Sequence, residues 1–236
     1  MVPRGADDAR PPGPYITARG RGGGPAPRRA GNAGIEASEM TETAPDQSPP
    51  SAEGIASAAR KAAKKGPPPV HLWNPPFCGD LDMRIAADGT WFYLGTPIGR
   101  KPLVKLFSSI LKREGDDYFL VTPVEKVGIT VDDAPFVAVD FEREGEGTYQ
   151  RLTFLTHVDD RVTADAEHPI RVERAADGTP RPYLMVRAGL EALIDRKSFY
   201  RLVEIGETDT VNGVEWFGLR SAGEFFPIIP SAELQV

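Results

Sequence analysis

At 236 residues the chain has room for one large domain or two small ones, and it is long enough to bury a substantial core. Its charge is unevenly placed: residues 1–66 hold 10 Lys and Arg against 7 Asp and Glu, while the rest holds 18 against 27, a formal −9. An acidic body argues against nucleic acid as a partner, a single Cys78 excludes an intramolecular disulfide and a cysteine metal cluster, and the longest apolar runs are far too short to span a membrane.

From Met1 to about Pro50 the composition is Gly, Pro, Ala, Arg and Ser with almost no branched aliphatic residues, which cannot offset chain entropy by burial. Residues 1–66 are therefore predicted to be a disordered arm, with Met40 an alternative start and a short helix over 51–65 capped by Ser51. Pro67, Pro68 and Pro69 end that helix, and the folded part opens at His71-Leu72-Trp73-Asn74-Pro75-Pro76-Phe77, expected to lie extended. Met83 and Ile85, then Trp91 and Tyr93, alternate about Asp88-Gly89, a strong hairpin signal. After the loop Gly95–Arg100, Pro102 suits a first helical turn, and Leu103, Val104, Leu106, Phe107, Ile110 and Leu111 share a helical face.

Strands are predicted at 118–121, 127–131, 136–142, 150–156 and near Val162, and their alternation indicates half-buried antiparallel pairing. A second hairpin turns at Asp177-Gly178 and runs through Tyr183–Val186. A helix is then expected from near Gly189, with Leu190, Leu193, Ile194, Tyr200 and Val203 as its buried stripe, before Asn212-Gly213 turns into 214–219.

The pentapeptide Ala86-Ala87-Asp88-Gly89-Thr90 recurs letter for letter as Ala175–Thr179, each copy followed by a helical and then an aromatic segment. The expected fold class is α+β: two related antiparallel-sheet-plus-helix units, over 67–145 and 146–236. A duplicated fold leaves a crevice between its halves, where ligands gather.

Several residues suit an anionic ligand. Thr96 and Arg100 lie in a Gly-punctuated loop just before a helix, whose free amides attract anions; the other reading is a tight connection with solvated cations. Thr122, Glu125 and Lys126 interrupt two strands, as a ligand-positioning pair or a structural one. Arg181, Tyr183 and Arg187 form one row on a strand, where guanidinium groups suit phosphate and a tyrosine ring suits a base, unless they only balance local acids. Asp132 and Asp133 read as a turn, and His157 and His168 lack a third ligand, so no metal and no cofactor is expected. Cys78 reads as a buried structural thiol, and no pattern assigns catalytic acid and base roles.

Four separated stretches carry a resemblance: Leu72–Asp80 (LWNPPFCGD), Asp88–Arg100 (DGTWFYLGTPIGR), Thr122–Ile129 (TPVEKVGI) and Asp133–Phe136 (DAPF). Taken in order, over about 67–228, the chain resembles the bacterial DUF1285 family. That resemblance implies a duplicated α+β fold with a pleckstrin-homology-like second half, and a nucleotide-type ligand site with a signalling role at the interface of the halves. Residues 1–66 lie outside it. The reading that follows is a cytoplasmic protein that binds a nucleotide-like or other anionic small molecule through Thr96, Arg100, Thr122, Glu125, Lys126, Arg181, Tyr183 and Arg187. The alternatives are a module that docks a protein partner and, third, an enzyme using Cys78.

Overall fold

A computed structural model describes residues 50–63 and 66–234, so the arm expected over 1–66 lies outside the described residues as far as residue 49. Helix α1 (Ala52–Ala63) begins at Ser51, whose hydroxyl accepts the Gly54 amide at 3.2 Å. Its buried residues Ala52, Ile55, Ala56 and Ala59 fall three and four apart, on one face. That face packs on α2 (Lys101–Ser109) inside the main core, so this helix belongs to the folded body and not to a detached arm.

The fifteen strands of the described residues form five antiparallel three-stranded meanders. The first is β1 (Phe77–Ile85), β2 (Trp91–Tyr93) and β3 (Thr96–Pro97); α2 follows, then β4 (Leu111–Glu114), β5 (Asp117–Val121) and β6 (Lys126–Val131). The third is β7 (Phe136–Glu144), β8 (Arg151–Thr156) and β9 (Arg161–Thr163), and the fourth is β10 (Ile170–Arg174), β11 (Pro180–Arg187) and β12 (Leu190–Ile194). Helix α3 (Arg196–Val203) leads to the last, β13 (Glu207–Val211), β14 (Val214–Ser221) and β15 (Glu224–Pro230).

Meanders join in pairs. β1 lies parallel to β6 and gives a six-stranded sheet of order β3-β2-β1-β6-β5-β4; β7 lies parallel to β12 and gives β10-β11-β12-β7-β8-β9. Counted from the first strand of each, the two orders are the same, and β13-β14-β15 stands as a third sheet. The α+β class with two similar halves holds, but each sheet has a parallel pair at its centre where only antiparallel pairing was expected. Such a pair needs a long crossover, which strand alternation does not reveal.

Two further differences have local causes. β7 was expected in the first unit, yet it pairs with β8 and β12, so the change of sheet falls at Asp132–Pro135 instead of near residue 145. Residues 190–194, expected to be helical, are strand β12: Ala188 and Gly189 have φ of 45° and 78°, which makes a tight hairpin, and Leu190, Ala192 and Ile194 are buried alternately. A short apolar run fits either period, and here the turn decides it.

Both pentapeptides build the same turn. Asp88 accepts the Thr90 amide and Asp177 the Thr179 amide, each at 2.9 Å, and Gly89 and Gly178 have φ of 84° and 82°. They join β1 to β2 and β10 to β11, which are not corresponding positions in the two six-stranded orders. Identical letters here encode a turn and not the duplication. The core is continuous, with Trp91, Phe107, Phe136, Phe154 and Leu184 among its fully buried side chains.

Candidate functional site

In the first half Thr122 and Lys126 have partners within the fold. Thr122 is fully buried; its hydroxyl accepts the Val124 and Glu125 amides at 3.4 and 3.2 Å, closing the turn between β5 and β6. Glu125 is half-buried beside it, and burial pushes its carboxyl above the usual range. Lys126 donates to Glu114 at 2.8 Å and lies 4.8 Å over the Phe119 ring; hydrogen bonds from Lys126 and Lys112 hold the Glu114 carboxyl low. Thr96 and Arg100 are exposed at β3 and at the start of α2. The lysines of that helix meet an internal anion: Lys101 and Lys105 reach Asp159 at 2.7 and 3.7 Å, and the Lys101 hydrogen bond lowers the Asp159 carboxyl.

Arg181 and Tyr183 do share a face of β11, and both grip Asp133 at the change of sheet. Arg181 forms an ion pair with it, and the Tyr183 hydroxyl donates to it at 2.8 Å. Burial, and then the bond to Asp133, push the Tyr183 phenol up to about 12. Arg171 stacks 4.4 Å over the Tyr183 ring and donates twice to Glu191, both at 2.6 Å. From the first half, Arg113 donates to the Gly189 carbonyl at 3.3 Å. The junction is thus polar and internally paired.

Arg187 spans the two halves. It donates to Asp160 at 2.6 Å and to the Ser108 carbonyl at the end of α2 at 2.8 Å, and it lies 4.8 Å over the Phe136 ring. A carbonyl in a last helical turn lacks an intrahelical donor, and a cation suits that end of the dipole. Among the described residues, no hydrogen bond or ion pair joins Thr96, Arg100, Thr122, Glu125 or Lys126 to Arg181, Tyr183 or Arg187.

One other face of Arg187 borders a hollow of about 460 Å³, whose wall also carries Arg151, Arg161, Asp160, Asp165 and His168. Arg161 is paired with Glu142, and Arg187 with Asp160, whereas Arg151 is exposed and has no carboxylate within ion-pair distance among the described residues. His168 Nδ1 lies 2.9 Å from Asp165. Burial pushes the Asp165 carboxyl up, but hydrogen bonds from the His168 ring and from the His168 and Glu167 amides outweigh it and leave it low. Three guanidinium groups around a hollow of this size can hold a phosphate or carboxylate with paired hydrogen bonds. Arg151 and Arg161 escaped sequence reading because they stand on β8 and β9 while Arg187 ends β11, in the other meander of the sheet, and only the folded sheet brings all three to one hollow.

Cys78, expected to be buried, is exposed; its thiol lies 3.5 Å from the Pro76 carbonyl. No cluster of three or more His, Cys, Asp or Glu suited to a metal occurs among the described residues, and none of their helices is long and apolar enough to cross a membrane.

Two sheets of like strand order, tied across a charged seam beside an arginine-ringed hollow, define a duplicated α+β protein. The family model for the N-terminal domain of DUF1285, a domain of unknown function, matches residues 68–134, and that for the C-terminal domain matches 135–228; the chain belongs to the DUF1285 family. Their boundary coincides with the change of sheet. The crystal structure of a DUF1285 family protein from Silicibacter pomeroyi DSS-3 is similar at 63% identity and a TM-score of 0.70, over 77% of this chain and 97% of that one. Another, from Shewanella baltica OS155, shows 35% identity and a TM-score of 0.43, over 52% of this chain and 91% of that one. No protein of curated function matches.

Proposed function

We propose that the protein binds an anionic, nucleotide-like small molecule in the hollow ringed by Arg151, Arg161 and Arg187, and that a cytoplasmic address goes with this role. The observation that carries the reading is the gathering of three guanidinium groups on an acidic body, one of them without a carboxylate partner among the described residues. Arg187 also gives the site a route to the other half. A ligand that takes its guanidinium from Asp160 also loads the bond to the Ser108 carbonyl, and so couples occupancy to the seat of α2. This coupling suits a sensor.

The test is thermal unfolding of the full chain against a panel of nucleotides and phosphorylated metabolites. At least one member should raise Tm, since a ligand at 100 times its Kd stabilises by about 2.7 kcal/mol. The double variant Arg151→Ala, Arg161→Ala should unfold near the wild-type temperature without ligand and lose that rise. A panel that leaves Tm unmoved, or a double variant that responds like wild type, overturns the reading.

A further inference from the structure

A second hollow, of about 400 Å³, lies within the second half between β11 and α3. It arises from a mismatch in strand length. β11 is paired with β10 as far as Pro180, but on its other side the pairing with β12 stops at Tyr183 opposite Leu193, because β12 ends at Ile194 and the chain turns into α3. Proline has no amide hydrogen, so Pro180 and Pro182 offer ring carbon and no unmet donors along this uncovered edge. Leu193 and Phe199 continue the apolar lining, and the Tyr200 ring, 55% exposed, stands at the mouth.

The charges at the rim are unequal in their availability. Asp195 is turned inward, accepting the Ser198 amide at 2.7 Å as the cap of α3, and Arg181 is held by Asp133. Arg196 is different: its guanidinium donates through Nε and Nη2 to the neutral Tyr200 hydroxyl, at 3.0 and 2.8 Å, and no carboxylate lies within ion-pair distance among the described residues. A neutral phenol leaves that cation without a counter-charge. A carboxylate in its place would make shorter, charge-assisted bonds with two donors of the planar group.

We infer that this hollow is a binding site for a small monocarboxylate with an apolar body, aromatic or short-chain acyl, which lies against Pro180, Pro182, Leu193 and Phe199 with its carboxylate on Arg196. The chemistry of the wall selects this class. A polyphosphate would place several charges against hydrocarbon with Arg196 the one cation of this wall left unpaired among the described residues, and a neutral apolar molecule would cover the guanidinium without a counter-ion. The volume suits a small molecule and is too confined for a folded partner. This site shares no lining residue with the hollow at Arg187, so the two readings stand or fall separately.

Titration of the isotope-labelled full chain with 3-phenylpropionate and with octanoate, followed by amide NMR, tests the inference. At least one should bind saturably, tighter than about 1 mM, and move the Leu193 and Phe199 signals. 3-Phenylpropan-1-ol and acetate should each bind at least about tenfold more weakly, one lacking the charge and the other the body, a difference of ~1.4 kcal/mol. Arg196→Gln, at an exposed position, should weaken the acid to the level of the alcohol, while Arg151→Ala should leave it unchanged. The inference is overturned if neither acid saturates, if the alcohol matches the acid, if Arg196→Gln has no effect, or if the shifted signals lie elsewhere.

Discussion

A glycine can be required by a neighbour as well as by its own φ, and Gly218 and Gly128 separate two such cases. A Cβ on Gly218 would meet the Phe226 backbone carbonyl and the Phe225 ring, across the β14–β15 pair, and neither can withdraw without disturbing the sheet. A Cβ on Gly128 would meet the end of the exposed Asp80 side chain, which can swing into solvent. Gly218→Ala should therefore cost on the order of 2 kcal/mol in urea denaturation, with Gly128→Ala close to neutral. His157 adds a pH dependence. Burial holds its imidazole below the ordinary value of 6.5, and its Nδ1 accepts the Val137 amide at 3.1 Å, which requires a free lone pair there. Asp160, Asp88 and Lys101 surround it at longer range. The unfolded chain protonates this group first, so stability present above pH 6.5 falls as pH drops through and below that value, by at most about 1.4 kcal/mol per unit. Denaturation midpoints between pH 8 and 6, above the carboxylate range, should show that fall, and His157→Gln should flatten it.

At the scale of elements, a buried hydroxyl helps to fasten the third sheet to the second. Ser221, at the end of β14, donates to the Ala164 carbonyl at 2.7 Å and accepts the Leu152 amide of β8 at 2.9 Å. Gln150 adds a bond to the Arg220 carbonyl at 2.6 Å. Ser221→Ala would leave a buried donor and a buried acceptor without partners, and calorimetry should register a loss of about 2 kcal/mol. This clamp illustrates what the sequence could and could not reveal. Turns were legible where Asp-Gly and Asn-Gly demand a left-handed backbone locally, though the one at Ala188-Gly189 was not, and α2 was legible from its apolar spacing. The Arg181–Tyr183 face was legible from the period of a strand, though their shared partner was not. Strand neighbours, the parallel pairs and the meeting of Arg151, Arg161 and Arg187 depend on contacts between distant segments, and nothing in a short window encodes those. The helical period also misled at Leu190–Ile194, where apolar spacing alone cannot distinguish the two backbones.

For the whole molecule, Arg187 makes one of several links between the halves. Arg187→Met would keep hydrocarbon near Phe136 but abandon Asp160 and the Ser108 carbonyl, a loss of about 2 kcal/mol by chemical denaturation. Arg187→Lys should restore less than half of it, because one ammonium cannot reproduce the planar fork. The arrangement of the sheets has a consequence for synthesis. The strand that opens each six-stranded sheet finds its central neighbour in the strand that closes it, β1 with β6 and β7 with β12. On the ribosome, a nascent chain that has released Phe77–Ile85 must hold that strand, with its apolar residues Leu81, Met83 and Ile85, with one side bare until Lys126–Val131 emerges. Pausing translation just before the sixth strand should thus leave a species that chaperones retain, and pausing just after it should leave one they release.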